Sequence, residues 1–159
     1  MRRLAVASAS LALVGGVLTA PAAQADVGCY GDYCSGKWPE QMGCDRDAVT
    51  TAWVDVTGAR LELRWSPTCK TNWARYQQYP RGWGFMGNVP LELRAVQDTG
   101  YTQRLSYGVN GTGTGTTWTP MIYSPTRWVR AEMVYQCYGV GDCAQGAGLG
   151  LNPVKTGWA

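Results

Sequence analysis

The chain has 159 residues, with 14 Lys and Arg against 11 Asp and Glu, six cysteines and no histidine. That length holds one domain with a core of its own, and a formal net charge of +3 without any basic run leaves no electrostatic footprint for nucleic acid or anionic lipid. The lack of histidine excludes Ser-His-Asp and Cys-His nucleophiles, His-based metal sites and a general base with an unshifted pKa near neutrality.

In chain order, Met1-Arg2-Arg3 is a basic start, 4–18 is mostly apolar, and Ala23-Gln24-Ala25 is an A-x-A cleavage site. This is the pattern of a secretory signal peptide over 1–25, and its apolar part is too short for a membrane span. Cleavage after Ala25 leaves 134 residues with 12 basic against 11 acidic groups, a charge of about +1. The expected location is extracellular, with no membrane attachment after cleavage.

All six cysteines (Cys29, Cys34, Cys44, Cys69, Cys137 and Cys143) follow the signal. An even number in an exported chain reads as disulfides. Cys29 and Cys34 loosely resemble zinc-ligand spacing, but a structural zinc site wants repeated tight cysteine pairs or histidines. No metal or other cofactor is expected.

The stretch 26–47 is rich in Gly, Asp, Tyr and Cys without periodicity, which predicts a looped segment held by its cysteines rather than by a core. A β domain over 48–145 follows. Residues 48–56 are β-branched and end at Thr57-Gly58, a strand. Over 60–66, Leu61, Leu63 and Trp65 alternate with Glu62 and Arg64, placing an apolar row on one face, expected in the core, and an ion pair on the other. Ser66-Pro67-Thr68 breaks that strand, and 73–79 returns as the second half of a hairpin.

Tyr79 to Gly82 reads as a turn and 83–86 as a short aromatic strand. In 89–96, Leu91-Glu92-Leu93-Arg94 echoes Leu61-Glu62-Leu63-Arg64, which two half-buried strands of one sheet would produce without any repeat architecture. Residues 97–100 make a turn into a strand over 101–107, a second hairpin. The Gly-Thr run from Val109 is a loop, and its Asn110-Gly-Thr112 sequon carries little weight behind a bacterial-type signal.

Two last strands cover 118–123 and 127–137, with Val129, Ala131, Met133 and Tyr135 facing the core. A Gly-rich tail spans 146–159. The class is all-β: a small disulfide-stapled antiparallel sandwich or open barrel with a loop-rich N-terminal segment. For the bridges, Cys137–Cys143 closes locally, Cys44–Cys69 ties two strand ends, and Cys29–Cys34 closes a surface loop. Cys29–Cys44 with Cys34–Cys69 is the rival to the last two.

The run Cys29-Tyr-Gly-Asp-Tyr-Cys34 through Cys44-Asp-Arg-Asp47-Ala48-Val-Thr50, with Leu61-Glu-Leu-Arg-Trp-Ser-Pro-Thr-Cys69 and Trp73-Ala-Arg75, resembles the YjfA-like proteins. These are small secreted bacterial proteins carrying a domain of unknown function. The resemblance covers 29–75 and implies export and β structure. A looser similarity to adaptor subunits of secreted umbrella-toxin particles implies an assembly role.

The leading functional expectation is a secreted, non-enzymatic interaction module whose partner is another secreted protein. A glycan or cell-wall binder is the alternative, with Trp38, Trp83 and Trp118 stacking on sugar faces. A third reading is a glycoside hydrolase, which needs only two carboxylates. Asp55, Glu62, Glu92, Asp98 and Glu132 are available, but Glu62, Glu92 and Glu132 each stand two positions from an arginine, which reads as surface ion pairing.

Overall fold

The structure, a computed structural model, describes residues 26–56, 58–79, 89–106, 115–136 and 154–159. The signal, the 83–86 strand with Trp83, the Asn110 sequon and the Cys137–Cys143 pair lie outside these residues.

Strands β1 (Val49–Val56), β2 (Ala59–Ser66) and β3 (Thr71–Gln78) form a meander. Residues 118–123, expected as one strand, give two short ones, β6 (Thr116–Trp118) and β7 (Ile122–Tyr123), both paired with β3. Between them the Thr119 N–H donates to the Ala74 carbonyl and its hydroxyl accepts from the Ala74 N–H, which bends the chain without orphaning the β3 backbone. The second sheet has the order β5 (Thr102–Ser106), β4 (Val89–Gln97), β8 (Val129–Gln136), β9 (Val154–Lys155). All pairings are antiparallel and neither sheet closes into a barrel.

The central hairpin sets the core. Its register places Leu61 opposite Tyr76 and Leu63 opposite Ala74, all buried. Leu93, Ala95, Val129, Ala131 and Met133 of the second sheet pack against them. Each large side chain so buried contributes roughly 1.5–3 kcal/mol. The Leu-Glu-Leu-Arg echo thus falls on two different sheets rather than one, and Leu63 and Leu93 belong to the same core between them.

Two expectations for β2 need correction. Trp65, expected in the core, is only half-buried, at a cavity of about 300 Å³ with Thr51, Asn72 and Trp128. A bulge between Thr50 and Ala52 shifts β1 beside it, so the partner strand does not cover the indole. Nor does Glu62 pair with Arg64. Register sets Glu62 opposite Arg75 on β3, whose Nε donates at 2.6 Å, and the pair is drawn in until Glu62 is 4% exposed.

The cysteine-rich segment does have a core. A 3-10 turn over Gly31–Cys34 and the one-turn helix α1 (Pro39–Met42) lie on the outer face of the first sheet. Proline starts α1, where its missing N–H costs nothing, and Gly43 ends it at φ 71°, a left-handed conformation that favours glycine. Cys29–Cys34 and Cys44–Cys69 are bonded, which overturns the rival pairing Cys29–Cys44 with Cys34–Cys69, and all four cysteines pack with Trp73 and Met121.

The residues that carried the resemblance build a clasp. Arg64 donates to Thr50 Oγ1 at 2.7 Å and to the Ala48 carbonyl at 2.6 Å. Asp47 accepts from Ser66 Oγ at 2.6 Å and from the Thr68 N–H at 2.8 Å. Burial alone would raise the Asp47 carboxyl, but these bonds more than offset it and hold it below the ordinary aspartate value. Its contribution is therefore full above the unfolded aspartate pKa of about 3.9 and is lost as pH falls through the lower folded value. Thermal melts from pH 7 to pH 2 should show Asp47→Asn less stable than wild type at neutrality, with the gap closing below pH ~4. A gap independent of pH would remove the charge from the clasp.

The chain's last residues dock. Ala159 and Val129 exchange both backbone hydrogen bonds at 3.0 Å, and Lys155 lies opposite Glu132. Trp158 is exposed but not loose, since the Arg130 guanidinium stacks 4.3 Å from its ring centroid.

Candidate functional site

Of the three tryptophans read as binding residues, the fold brings Trp38 and Trp118 into one cleft, and Trp83 lies outside the described residues. The Gly36 N–H donates to the Met121 carbonyl and the Met121 N–H to the Lys37 carbonyl, which ties the Trp38 segment to the chain just after Trp118. Both indoles are half-buried. Glu40, Gln41, Leu105, Thr116 and Thr117 complete the lining.

Trp118 is seated on the cysteine-rich core, and its indole lines the cleft together with Glu40. Glu40 is exposed as a residue, and partial desolvation in the cleft pushes its carboxyl above the ordinary glutamate value, with hydrogen bonding acting the other way. Glu40 and Gln41 were missed in the sequence. The signal was there in Trp38-Pro39-Glu40-Gln41, because a proline-started turn returns the next residues towards the preceding ring.

A second aromatic surface stands on the outer face of the second sheet. Trp128 and Trp158 are 60% and 43% exposed and share a shallow depression with Asp98. The Asp98 N–H donates to the Trp128 carbonyl, and Arg127 pairs with the Asp98 carboxylate at 3.8 Å. Arg130, stacked on Trp158, also donates to Glu132 at 2.7 Å. Arg94 lies between Glu92 and Glu132, with Arg104 and Lys155 at either side. The expected pairing of Glu92 and Glu132 with neighbouring arginines is thus present, though Glu132 is buried rather than on the surface.

On the first sheet, Arg60 stacks on Trp53 and makes a two-point contact with Asp55, which also accepts from the Tyr79 hydroxyl. Those partners hold the Asp55 carboxyl below its ordinary value. Each of the five carboxylates considered for glycoside hydrolysis therefore carries an arginine partner. Cys29, Cys44 and Cys69 bring their sulfurs within 4.8 Å of one another, but each sulfur is already committed to a disulfide.

No curated protein and no solved structure matches the chain. A family model described as "Protein of unknown function (DUF2690)" matches residues 32–131. That match carries neither the YjfA-like name nor the likeness to umbrella-toxin adaptors. It spans most of the chain, from within the first disulfide loop to the third residue of β8, and on that extent the chain belongs to this uncharacterised family.

Proposed function

We propose that the protein is an exported, non-enzymatic interaction module that docks onto a larger secreted protein through the Trp128–Trp158 surface. The observation that carries this reading is the pairing of two exposed indoles with arginines. Trp and Arg are the side chains most enriched where single residues dominate binding energy. Backbone pairing at Val129 and the Arg130 stack hold Trp158 in place before binding, which lowers the entropy cost of engagement.

Arg94, Arg104, Arg127, Arg130 and Lys155 outnumber Glu92, Asp98 and Glu132 on this face, so the complementary partner offers an apolar pocket rimmed by acidic groups. The signal pattern supports export, and disulfides suit an oxidising compartment. The resemblance to YjfA-like proteins, and more loosely to toxin-particle adaptors, supports an assembly role. The arginine-paired carboxylates support a role without catalysis.

Tagged protein recovered from culture medium at native levels should begin at Asp26 and co-purify with a larger secreted protein. Trp128→Ala with Trp158→Ala should weaken that association by more than tenfold, each truncation at a hot spot costing about 1–2 kcal/mol or more. Circular dichroism would verify that the variant stays folded. Elution of the wild type alone, or a complex indifferent to both substitutions, would overturn the reading.

A further inference from the structure

We infer that the Trp38–Trp118 cleft is a saccharide subsite for a neutral sugar ring carrying an acetamido group. This goes beyond the protein-docking reading and does not rest on it, since the two surfaces share no lining residue. The cleft is a solvent-open depression of about 360 Å³, at the small end of the range for small-molecule sites.

Its chemistry is mixed in the way a sugar requires. The C–H face of a pyranose is apolar and lies on an indole face, while its hydroxyls demand directional partners at the ring edge. Trp38 and Trp118 supply the first. Glu40, Gln41, Thr116 and Thr117 supply the second, as a carboxylate, an amide and two hydroxyls around the same space.

The acetamido assignment follows from two of the remaining features. Leu105 is the aliphatic side chain in the lining, suited to an acetyl methyl. The Glu40 carboxylate accepts an amide N–H, and its charge repels sugars that carry a carboxylate of their own. Glu40 is the one carboxylate among the described residues lining the cleft, and hydrolysis at a glycosidic bond needs two. The site is therefore built for binding and not for cleavage.

The test is calorimetric titration of the purified secreted protein with N-acetylglucosamine oligomers and, separately, with glucose oligomers of the same length. Saturable binding is expected for the first and at least tenfold weaker binding for the second. Trp38→Ala should weaken the first by tenfold or more. Because Trp118 also packs on the cysteine-rich core, Glu40→Gln serves as the second variant. Wild-type affinity should fall as pH drops through the raised Glu40 pKa, where the acceptor is protonated, whereas Glu40→Gln should be several-fold weaker at neutrality and flat with pH. Trp128→Ala should leave saccharide binding unchanged. Absence of saturable binding, equal affinity for glucose oligomers, or binding indifferent to both Trp38→Ala and Glu40→Gln would overturn the assignment.

Discussion

Trp73→Ala should cost about 3–5 kcal/mol in urea denaturation, the range for deleting a buried indole and a large share of the 5–15 kcal/mol that stabilises a typical domain. Trp73 is 3% exposed and sits among Cys29, Cys34, Cys44, Cys69 and Met121. It is the side chain through which the outer face of the first sheet grips the cysteine-rich segment. Losing it leaves a cavity between two disulfides and a strand, lined by groups whose cross-links limit how far they can collapse. Trp65→Ala should cost less than half as much, because that indole already borders an open cavity. The two variants also differ in kind. Trp73→Ala should speed reduction of Cys29–Cys34 by an added thiol, since the segment shielding the sulfurs loosens, and Trp65→Ala should not. Equal destabilisation by the two would show that the cysteine-rich segment rests on its bridges and not on packing.

The contrast between these tryptophans marks what a linear reading could reach. Period-two alternation put Leu61 and Leu63 on the buried face, and the same rule put Val129, Ala131 and Met133 there on β8. Alternation also assigned Trp65 to that face, correctly as a direction and wrongly as a depth, because depth depends on the β1 bulge. Sequence neighbours suggested Glu62 with Arg64. The actual partner, Arg75, is fixed by the β2–β3 register, which the hairpin turn decides and the local pattern does not.

The candidate site was legible in pieces. Trp38 and Trp118 were singled out one at a time, but 80 residues separate them in the chain, and only the Lys37–Met121 pairing shows that they share a cleft. The motif residues Asp47, Ala48, Thr50, Arg64 and Ser66 turned out to clasp the fold together. Their close spacing reports local architecture, and a binding surface assembled from distant strands leaves no comparable trace.

The disulfides have unequal expected worth, and the order can be measured. Cys44–Cys69 closes a sequence separation of 25 and Cys29–Cys34 one of 5. In the chain-entropy model these restrict the unfolded chain by about 3–4 and about 2 kcal/mol respectively. Cys44→Ala with Cys69→Ala should exceed even its share, because the β2–β3 turn would then be held to the N-terminal segment by the Asp47 clasp alone of these two ties. The substitutions have to be made in pairs. Cys29 Sγ lies 3.8 Å from Cys44 Sγ, so Cys34→Ala by itself would leave a thiol against the other bridge. As a thiolate, Cys29 would attack Cys44 Sγ, form Cys29–Cys44 and expel the Cys69 thiolate, with no net oxidation or reduction. Peptide mapping of the non-reduced Cys34→Ala protein should recover that rearranged fragment, and the paired variants should unfold in the order 44–69 below 29–34 in urea. A reversed order would mean that the short bridge does more than close its own loop, acting as the floor on which Trp73 and the longer bridge are packed.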